Sequence, residues 1–459
     1  MPTVDFVGQS AQTGASPAAG TSRLLNLYRE PVTEGDNTRY LLRSVPGQNI
    51  YTAGYSTFMR AIQWVDGQIY IVTDGSLSTL SEGGYVASVG AIADDVNTTI
   101  SGNLGYVTVV AGGNYYTWNG TTMLEPPDGA FENYGSVDTL GQRMLLTEKN
   151  GRRFQWSDVA DPDTLGGLNF ATTEAGEDNN IRGVVLNGNY WIFKERSIEI
   201  WYQTGASDDA QAFARVSGGI VTTGLKEFNL LTKIRGGLFF VGNDNIAYVT
   251  TGAGLQPVST PPVARSIADN IPTHCFYYEH EGHKFCVIRF TDRPAWVYDF
   301  STQEWHERSE GANHGPWAAV DTTQDNQGEW IVVGDGGFVA QLSKTRSGLI
   351  YDREGPLYRR AISRTLRNDS KRFRVPEVEF YADYGRAETD AETQLMAQFS
   401  GDRGNTWQSQ RSMTLGNQGN YDHRVLFRSL GQFRHITARV DMTHKYEIPI
   451  WSDVRVRLA

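Results

Sequence analysis

The chain has 459 residues, 39% of them hydrophobic and 20% charged, with a formal net charge of −11. It is too long for one ordinary domain and too rich in core-forming residues for global disorder. No apolar run approaches the roughly 18 residues of a membrane-spanning helix, and an acidic chain is a poor general binder of nucleic acid, whose phosphates need basic partners. The 49 glycines, with 22 Tyr, 20 Phe and 11 Trp, suit an all-β fold, in which glycines make turns and aromatics fill strands.

The first twenty residues, MPTVDFVGQSAQTGASPAAG, lack the basic start and apolar core of a secretory signal. Residues 1–37 read as an N-terminal arm. From there to residue 345, pairs of short apolar stretches recur around polar turns. They include 67–77 (GQIYIVTDGSL), 105–118 (GYVTVVAGGNYYTW), 141–156 (GQRMLLTEKNGRRFQW), 189–201 (NYWIFKERSIEIW), 237–249 (GLFFVGNDNIAYV) and 328–342 (GEWIVVGDGGFVAQL). Each reads as a strand, a tight turn and a second strand. Asp74-Gly75, Asn150-Gly151 and Asp335-Gly336 supply the positive φ such turns demand. With a further start near residue 281, the starts repeat at intervals from the high thirties to roughly fifty residues, close to the length of a four-stranded propeller blade. The stretch 296–305, WVYDFSTQEW, has a kelch-like strand ending, with an Asp turn followed by a packing Trp. The spacing predicts a β-propeller of about six blades, or seven, over residues 38–345, a ring that leaves only short, protected sheet edges.

One segment within this span reads as a helix: 262–271, PVARSIADNI, begun by a proline and followed by Pro272. The two cysteines, Cys275 and Cys286, flank a hairpin turn at Glu281-Gly282. A two-residue turn pairs Cys275 with Ile288 and Cys286 with Tyr277, so the thiols do not face each other. Both read as reduced packing residues, which fits assembly in a bacterial cytoplasm. His280-Glu281-Gly282-His283 has the wrong spacing for a helical zinc motif and reads as the hairpin tip.

After residue 346 the texture changes. An Arg-rich entry segment leads into 377–384 (EVEFYADY), 394–400 (QLMAQFS), 424–442 and 450–458, with the alternation of half-buried strands. Residues 346–459 are expected to form a β-sandwich platform domain. They carry 19 Lys and Arg against 14 Asp and Glu, a net +5, which leaves −16 for residues 1–345. Such asymmetry marks two bodies with different partners. Arg359, Arg360, Arg364, Arg367, Arg372 and Arg374 crowd the entry segment. Three readings are open for them: docking on an acidic adaptor ring or neighbouring subunit through guanidinium–carboxylate forks, a solvated face, and contact with DNA phosphate.

The chain holds no G-x-S-x-G elbow and no Gly-rich loop ending in Lys-Ser or Lys-Thr. Pairs such as Asp94-Asp95 and Asp208-Asp209 are expected by chance among 52 acids. No catalytic, cofactor-binding or metal-binding residue is assigned. Residues 400–407, SGDRGNTW, match the Asp box of sialidases and other glycan-handling propellers, but stand once and outside the expected blades. Ser400, Asp402, Gly404, Thr406 and Trp407 read instead as a structural hairpin brace. Asp402 accepts turn N–H groups, Gly404 takes a positive φ, Thr406-Trp407 opens the return strand, and Trp407 packs under the turn.

Four segments carry a resemblance: 23–32 (RLLNLYREPV) leading to 40–47 (YLLRSVPG), then 197–206 (SIEIWYQTGA), then 424–435 (RVLFRSLGQFRH), then 448–458 (IPIWSDVRVRL). In order and spacing the chain resembles the packaged-DNA stabilisation proteins of short-tailed phages, also called tail hub or nozzle proteins. The resemblance implies a structural virion protein, not an enzyme and without a cofactor. It implies a propeller with a β-sandwich platform, arranged as a homo-hexameric ring below the portal and its adaptor ring. That ring closes the exit on packaged DNA, later forms part of the ejection conduit, and neighbours the tail needle or tip protein and the tail fibres or spikes. DNA would lie in its lumen without sequence-specific binding, and no membrane partner is expected. An acidic propeller suits a conduit wall, because a wall that gripped phosphate would slow ejection. The alternative from another class is a glycan-binding or glycan-cleaving propeller, a receptor binder or depolymerase.

Overall fold

A computed structural model describes residues 3–5, 7, 20–34, 37–52, 58–81, 84, 86–174, 176–206, 211–252, 254–343, 352–353, 355–368, 371–382, 393–417, 419–421 and 423–457. Within them the chain is all-β, a β-propeller followed by a β-sandwich, with one α-helix at Pro261–Asp269. Contacts divide the chain into two compact units. One comprises residues 50–278 and 318–341; the other comprises 1–49, 279–317 and 342–459.

The first unit is built from antiparallel four-stranded meanders. Blade 1 spans Met59–Val65 to Val86–Ala91, blade 2 Thr99–Asn103 to Met123–Leu124, and blade 3 Tyr134–Leu140 to Phe170–Thr172. Blade 4 spans Asn180–Leu186 to Phe213–Val221, and blade 5 Leu231–Ile234 to Gly254–Pro257. Blade 6 begins with Pro272–His280. Blade 7 joins Ala319–Gln324, Trp330–Gly334 and Phe338–Leu342 to a fourth strand, Gln48–Thr52, taken from ahead of blade 1. The described residues thus hold seven blades, the higher of the two counts that the repeat spacing predicts, and the last of them borrows its fourth strand from ahead of blade 1.

Apolar clusters fill the spaces between neighbouring blades. Val65, Val72, Val107 and Val109 join blades 1 and 2; Val110, Tyr115, Tyr134 and Met144 join blades 2 and 3; Leu145, Trp156, Tyr190 and Trp201 join blades 3 and 4. Met59, Ile62, Ile71, Val320, Ile331 and Val333 seal blade 1 to blade 7. Consecutive residues of a middle strand, such as Ile71 and Val72, Val109 and Val110, or Met144 and Leu145, point to opposite faces and enter different clusters, so each sheet is apolar toward both neighbours. The hairpin turns form as the sequence predicts, with positive φ at Gly75 (70°), Asn150 (57°) and Gly336 (84°).

The second unit holds the sandwich. One sheet runs in the order Leu27–Glu34, Asn37–Ser44, Ile450–Arg457, Phe373–Ala382, Val425–Phe433, with Thr3–Asp5 added to Ile450–Arg457. The facing strands are Arg23–Leu25, Arg359–Ile362, His435–Met442, Gln394–Ser400 and Arg411–Thr414. Between them lies one core that includes Val7, Leu24, Phe380, Phe399, Phe427, Val440 and Val454.

The expected arm over residues 1–37 is therefore corrected: residues 23–34 and 37 are strand residues of the sandwich. Residues 279–317 supply three strands of blade 6, as their grouping with the propeller expects, and their contacts also join them to the sandwich-bearing unit. Leu25 pairs in parallel with Glu307, the last strand of blade 6, and Arg23–Leu25 pairs on its other edge with Arg359–Ile362. One sheet thus continues from blade 6 into the sandwich. The expected boundary at 345–346 lies outside the described residues, as do Asp208 and Asp209.

Asn26 is the pivot of this unit. It is 1% exposed and holds a positive φ of 56°. Its backbone N–H donates to Glu307 O at 2.8 Å, and its carbonyl accepts from Val45 N at 3.2 Å. Its Oδ1 accepts from Ser309 N at 2.8 Å, and its Nδ2 donates to Ser309 Oγ at 3.0 Å and Tyr358 O at 2.6 Å. Asn26→Ala strands several buried partners and puts alanine, which tolerates a left-handed backbone less well than asparagine, at a φ of 56°. It is expected to cost about 3 kcal/mol or more in a denaturant titration. Asn26→Gly, which relieves only the backbone term, should recover a minor part of that loss.

Candidate functional site

The first strand of every blade faces the propeller axis. Side chains from these strands line a bore of about 540 Å³ that includes Ile62, Ser101, Asp138, Arg182, Lys233, Cys275 and Asp321. In blades 1, 3, 4 and 7 the inner strand carries a register shift near its start, between Met59 and Ala61, Tyr134 and Ser136, Asn180 and Arg182, and Ala319 and Asp321. A bulge re-aims the side chain that follows it.

The polar residues placed there tie blades together. Thr99 Oγ1 accepts from Val137 N at 2.9 Å, Ser136 Oγ from Gly183 N at 2.9 Å, and Asp138 Oδ2 from Val185 N at 2.7 Å. Asp321 Oδ2 accepts from Ile62 N at 3.1 Å and Thr323 Oγ1 from Trp64 N at 3.0 Å, which closes blade 7 on blade 1. The inner strands are too far apart to pair as a sheet, so side chains satisfy N–H groups that would otherwise be orphaned. Arg182 extends the scheme by donating to Phe228 O and Leu231 O of the blade 5 approach, at 3.3 and 3.2 Å.

The charges of this wall balance. Asp66, Asp138 and Asp321 stand against Arg60, Arg182 and Lys233 among its lining residues. Lys233 Nζ lies 2.6 Å from Asp138, and Arg60 is bonded to Asp74 and Asp94 at 3.0 and 3.1 Å. The expectation of an acidic wall therefore fails for the propeller's own bore. Cys275 and Cys286 are buried free thiols, and burial pushes the Cys275 thiol well up, which makes it inert. The expected hairpin tip forms with φ of 52° at Glu281 and 85° at Gly282. His283 Nδ1 lies 2.7 Å from buried Asp299.

The Asp box is a brace at the tip of a sandwich hairpin. Asp402 Oδ1 accepts from Thr406 N at 2.8 Å and from Ser400 Oγ at 2.7 Å; Asp402 Oδ2 accepts from Thr406 Oγ1 at 2.6 Å. Ser400 Oγ, in turn, accepts from Gly404 N at 2.8 Å. Gly404 has a φ of 87°, and a β-carbon there would meet Trp407 at 3.2 Å. Trp407 is half-buried, with the Arg439 guanidinium 4.9 Å from its ring centre. The return strand, Arg411–Thr414, starts later than the expected Thr406, whose N–H and hydroxyl are both held in the turn by Asp402.

The six arginines of the entry segment separate into two groups. Arg359 is 1% exposed; it donates to Tyr446 O at 2.9 Å and to His444 O, and burial lowers its pKa to about 10. Arg360 forms a fork on Asp441 at 2.6 and 3.2 Å. A docking role is thereby corrected for Arg359, which is an internal strut, and Arg360 is already engaged. Arg364, Arg367, Arg372 and Arg374 are exposed. The bore ring was missed in the sequence. Its signal is the polar pair at i and i+2 that interrupts an apolar inner strand, as in Ser136-x-Asp138 and Asp321-x-Thr323.

Burial raises the Asp321 carboxyl to about 6, above its unfolded value of about 3.9. Its contribution to stability is then present below pH 4 and lost as pH rises through 6. Asp321→Asn, which keeps an acceptor for Ile62 N–H, should be more stable than wild type above pH 6 by up to about 2 kcal/mol. The difference should vanish toward pH 4 in denaturant titrations across that range. Asp402 has the opposite sign. Its bonds from Thr406, then Ser400, hold its carboxyl down at about 2. Asp402→Ala should melt earlier than wild type at neutral pH, and the gap should close as pH falls from 4 to 2.

A family model described as the bacteriophage P22 Gp10 β-propeller matches residues 20–347, and one described as the P22 Gp10 β-sandwich matches residues 358–448. No curated protein matches the chain. Similar solved structures include a streptogramin B lyase, 13% identical, covering 70% of this chain and 98% of that one at a TM-score of 0.46. YCF48 from Cyanidioschyzon merolae is 10% identical, covering 65% and 98% at 0.44. The Neurospora crassa Pan2 WD40 domain is 8% identical, covering 63% and 91% at 0.45.

Proposed function

Because this chain belongs to the bacteriophage P22 Gp10 stabilisation family, we propose that it is a tail hub, or nozzle, protein of a short-tailed phage. Six copies form a ring below the portal and its adaptor. The ring closes on packaged DNA and later serves as part of the ejection conduit. It is a structural component of the virion, assembled in the host cytoplasm, and it carries out no catalytic step.

The observation that carries this reading is the match of both family models, in order, over nearly the whole chain. The bore adds a physical constraint. A bore of about 540 Å³ is the size of a small-molecule pocket, so the conduit we propose is the space enclosed by the ring of chains and not the axis of one propeller. The Asp box offers the glycan reading no support, because its bonds are satisfied inside a sandwich hairpin.

Within the entry segment, the exposed Arg364, Arg367, Arg372 and Arg374 are the contacts proposed for the adaptor ring or a neighbouring copy. The needle or tip protein and the fibres or spikes attach elsewhere on the assembly. Negative-stain images of the purified chain, alone and with adaptor-bearing particles, test the whole reading. A sixfold ring seated under the adaptor is expected; a monomer that hydrolyses polysaccharide would overturn it. Arg364→Glu with Arg367→Glu is expected to weaken adaptor binding about tenfold or more while the thermal melt stays within a few degrees of wild type. Unchanged adaptor binding would remove these residues from the contact.

A further inference from the structure

The outer face of the six-stranded sandwich sheet carries arginines mounted on submerged carboxylates. Glu377 and Glu379 lie on the central strand Phe373–Ala382, paired with Arg428 and Leu426 on one side. On the other side Glu379 pairs with Arg455. Arg424, two residues before Leu426, shares that face. Arg424 Nε lies 2.6 Å from Glu379, Arg455 Nη1 3.8 Å from Glu379, and Arg428 Nε 3.6 Å from Glu377. At the sheet's far side Arg39 forks onto Asp453 at 3.1 Å and lies 4.1 Å from the Trp451 ring centre.

The depths differ sharply. The side chains of Arg424, Arg428 and Arg455 are 58%, 68% and 45% exposed, whereas Glu379 is 5% and Glu377 15% exposed. The acids thus lie beneath the guanidinium groups and fix their orientation, while solvent meets positive charge. Arg424, foremost, holds the Glu379 carboxyl below its ordinary range, so the support stays ionised. Exposed Arg374 continues the same face. An array of pre-oriented guanidinium forks loses little freedom on meeting carboxylates.

The propeller unit carries a complementary surface. In antiparallel meanders the starts of first and third strands share one end with the finishes of second and fourth strands. The turns at 132–133, 149–152, 173–179, 195–197, 222–230, 242–246 and 258–271 therefore share one rim of blades 3 to 6. Backbone bonds run along it, from Lys149 N to Asn133 O, Asn180 N to Gly151 O, Glu195 N to Asn179 O and Asn243 N to Gly224 O. This rim exposes Glu132, Glu177, Glu195, Glu227, Asp244 and Asp269, against exposed Arg152, Arg196 and Arg265.

We infer that the arginine-faced sheet of one copy docks on the acidic rim of blades 3 to 6 of a second copy. The two surfaces differ, so the contact is heterologous. Repeated head to tail, it closes into a ring when the rotation between copies allows. The inference rests on the proposed ring and names the chemistry of its subunit contact. The charge asymmetry of the chain, +5 in residues 346–459 against −16 before them, then serves self-recognition.

The full chain tests this by light scattering. Arg374→Glu with Arg428→Glu should lower self-association about tenfold or more, and added salt should weaken wild-type association in the same direction. Arg428→Gln, which leaves Glu377 unopposed without reversing charge, is the milder variant and should lower association by a smaller factor; thermal melts establish that both remain folded. A second chain carrying Glu177→Arg, Glu195→Arg and Glu227→Arg should also fail to self-associate, and mixing it with the reversed-face chain should restore assembly. Folded variants that assemble like wild type, or a mixture that stays dissociated, would overturn the inference while wild-type rings leave the hub reading standing. A wild-type chain that never self-associates would defeat both. Variants that keep the ring but lose binding to a DNA duplex would assign the face to nucleic acid instead, and so overturn the inference too.

Discussion

The three stretches that make the sandwich-bearing unit are tied together at one buried amide, that of Asn26. That unit is assembled from three stretches distant in sequence, 1–49, 279–317 and 342–459. Asn26 touches all three: it belongs to the first, bonds Glu307 and Ser309 of the second, and bonds Tyr358 of the third. Few residues can do this. The site needs a left-handed backbone, which asparagine tolerates far better than other side chains. It also needs a donor and an acceptor on one short planar group. The nearby Arg23–Glu307 pair adds charge to the same junction. The parallel pairing of Leu25 with Glu307 lies beside the Asn26 N–H···Glu307 O bond, so the two share one junction.

The propeller unit solves a different problem. Its inner strands fan out from an axis and cannot pair with each other along their length. Apolar side chains fill the spaces between blades, but the innermost N–H groups lie beyond that packing. Hydroxyl and carboxyl groups reach across instead, from Thr99, Ser136, Asp138, Asp321 and Thr323. The carboxylates this places around the bore are offset by Arg182 and Lys233. The cost of crowding a charge into that space is visible in the raised Asp321 carboxyl. The axis of the propeller is therefore a structural seam, and exposed chemistry lies on the outer rim and on the sandwich face.

Much of the fold was legible because turns and alternation are local. Gly75, Asn150 and Glu281-Gly282 adopt the backbone that their residue types favour, and the blades follow. The Asp box was legible for the same reason, since all its bonds fall within seven residues. What the sequence hid is non-local. Nothing near residue 50 marks it as the fourth strand of a blade built 290 or so residues later. Nothing in Arg359 distinguishes a buried strut from its exposed neighbours Arg364 and Arg367; burial by Tyr446 and His444 decides that. The arginine face was obscured because its members come from strands at 374, 424–428 and 455, which meet only once the sheet forms.

The closing strand of blade 7 also sets an order of events. Gln48–Thr52 leaves the ribosome long before Phe338–Leu342, the strand it must pair with. At about 5–20 residues per second, it waits roughly 15–60 s without its partner. The blades between have local contacts and can form as they emerge, but the ring can close only after the seventh is complete. Closure is then a late, high-contact-order step with its own slow rate. Until it occurs, the edges of the first and last blades stand open to other chains. A chain translated at high density in one cell must finish this step before it meets a neighbour, so the correct ring competes with edge-to-edge pairing as a matter of timing.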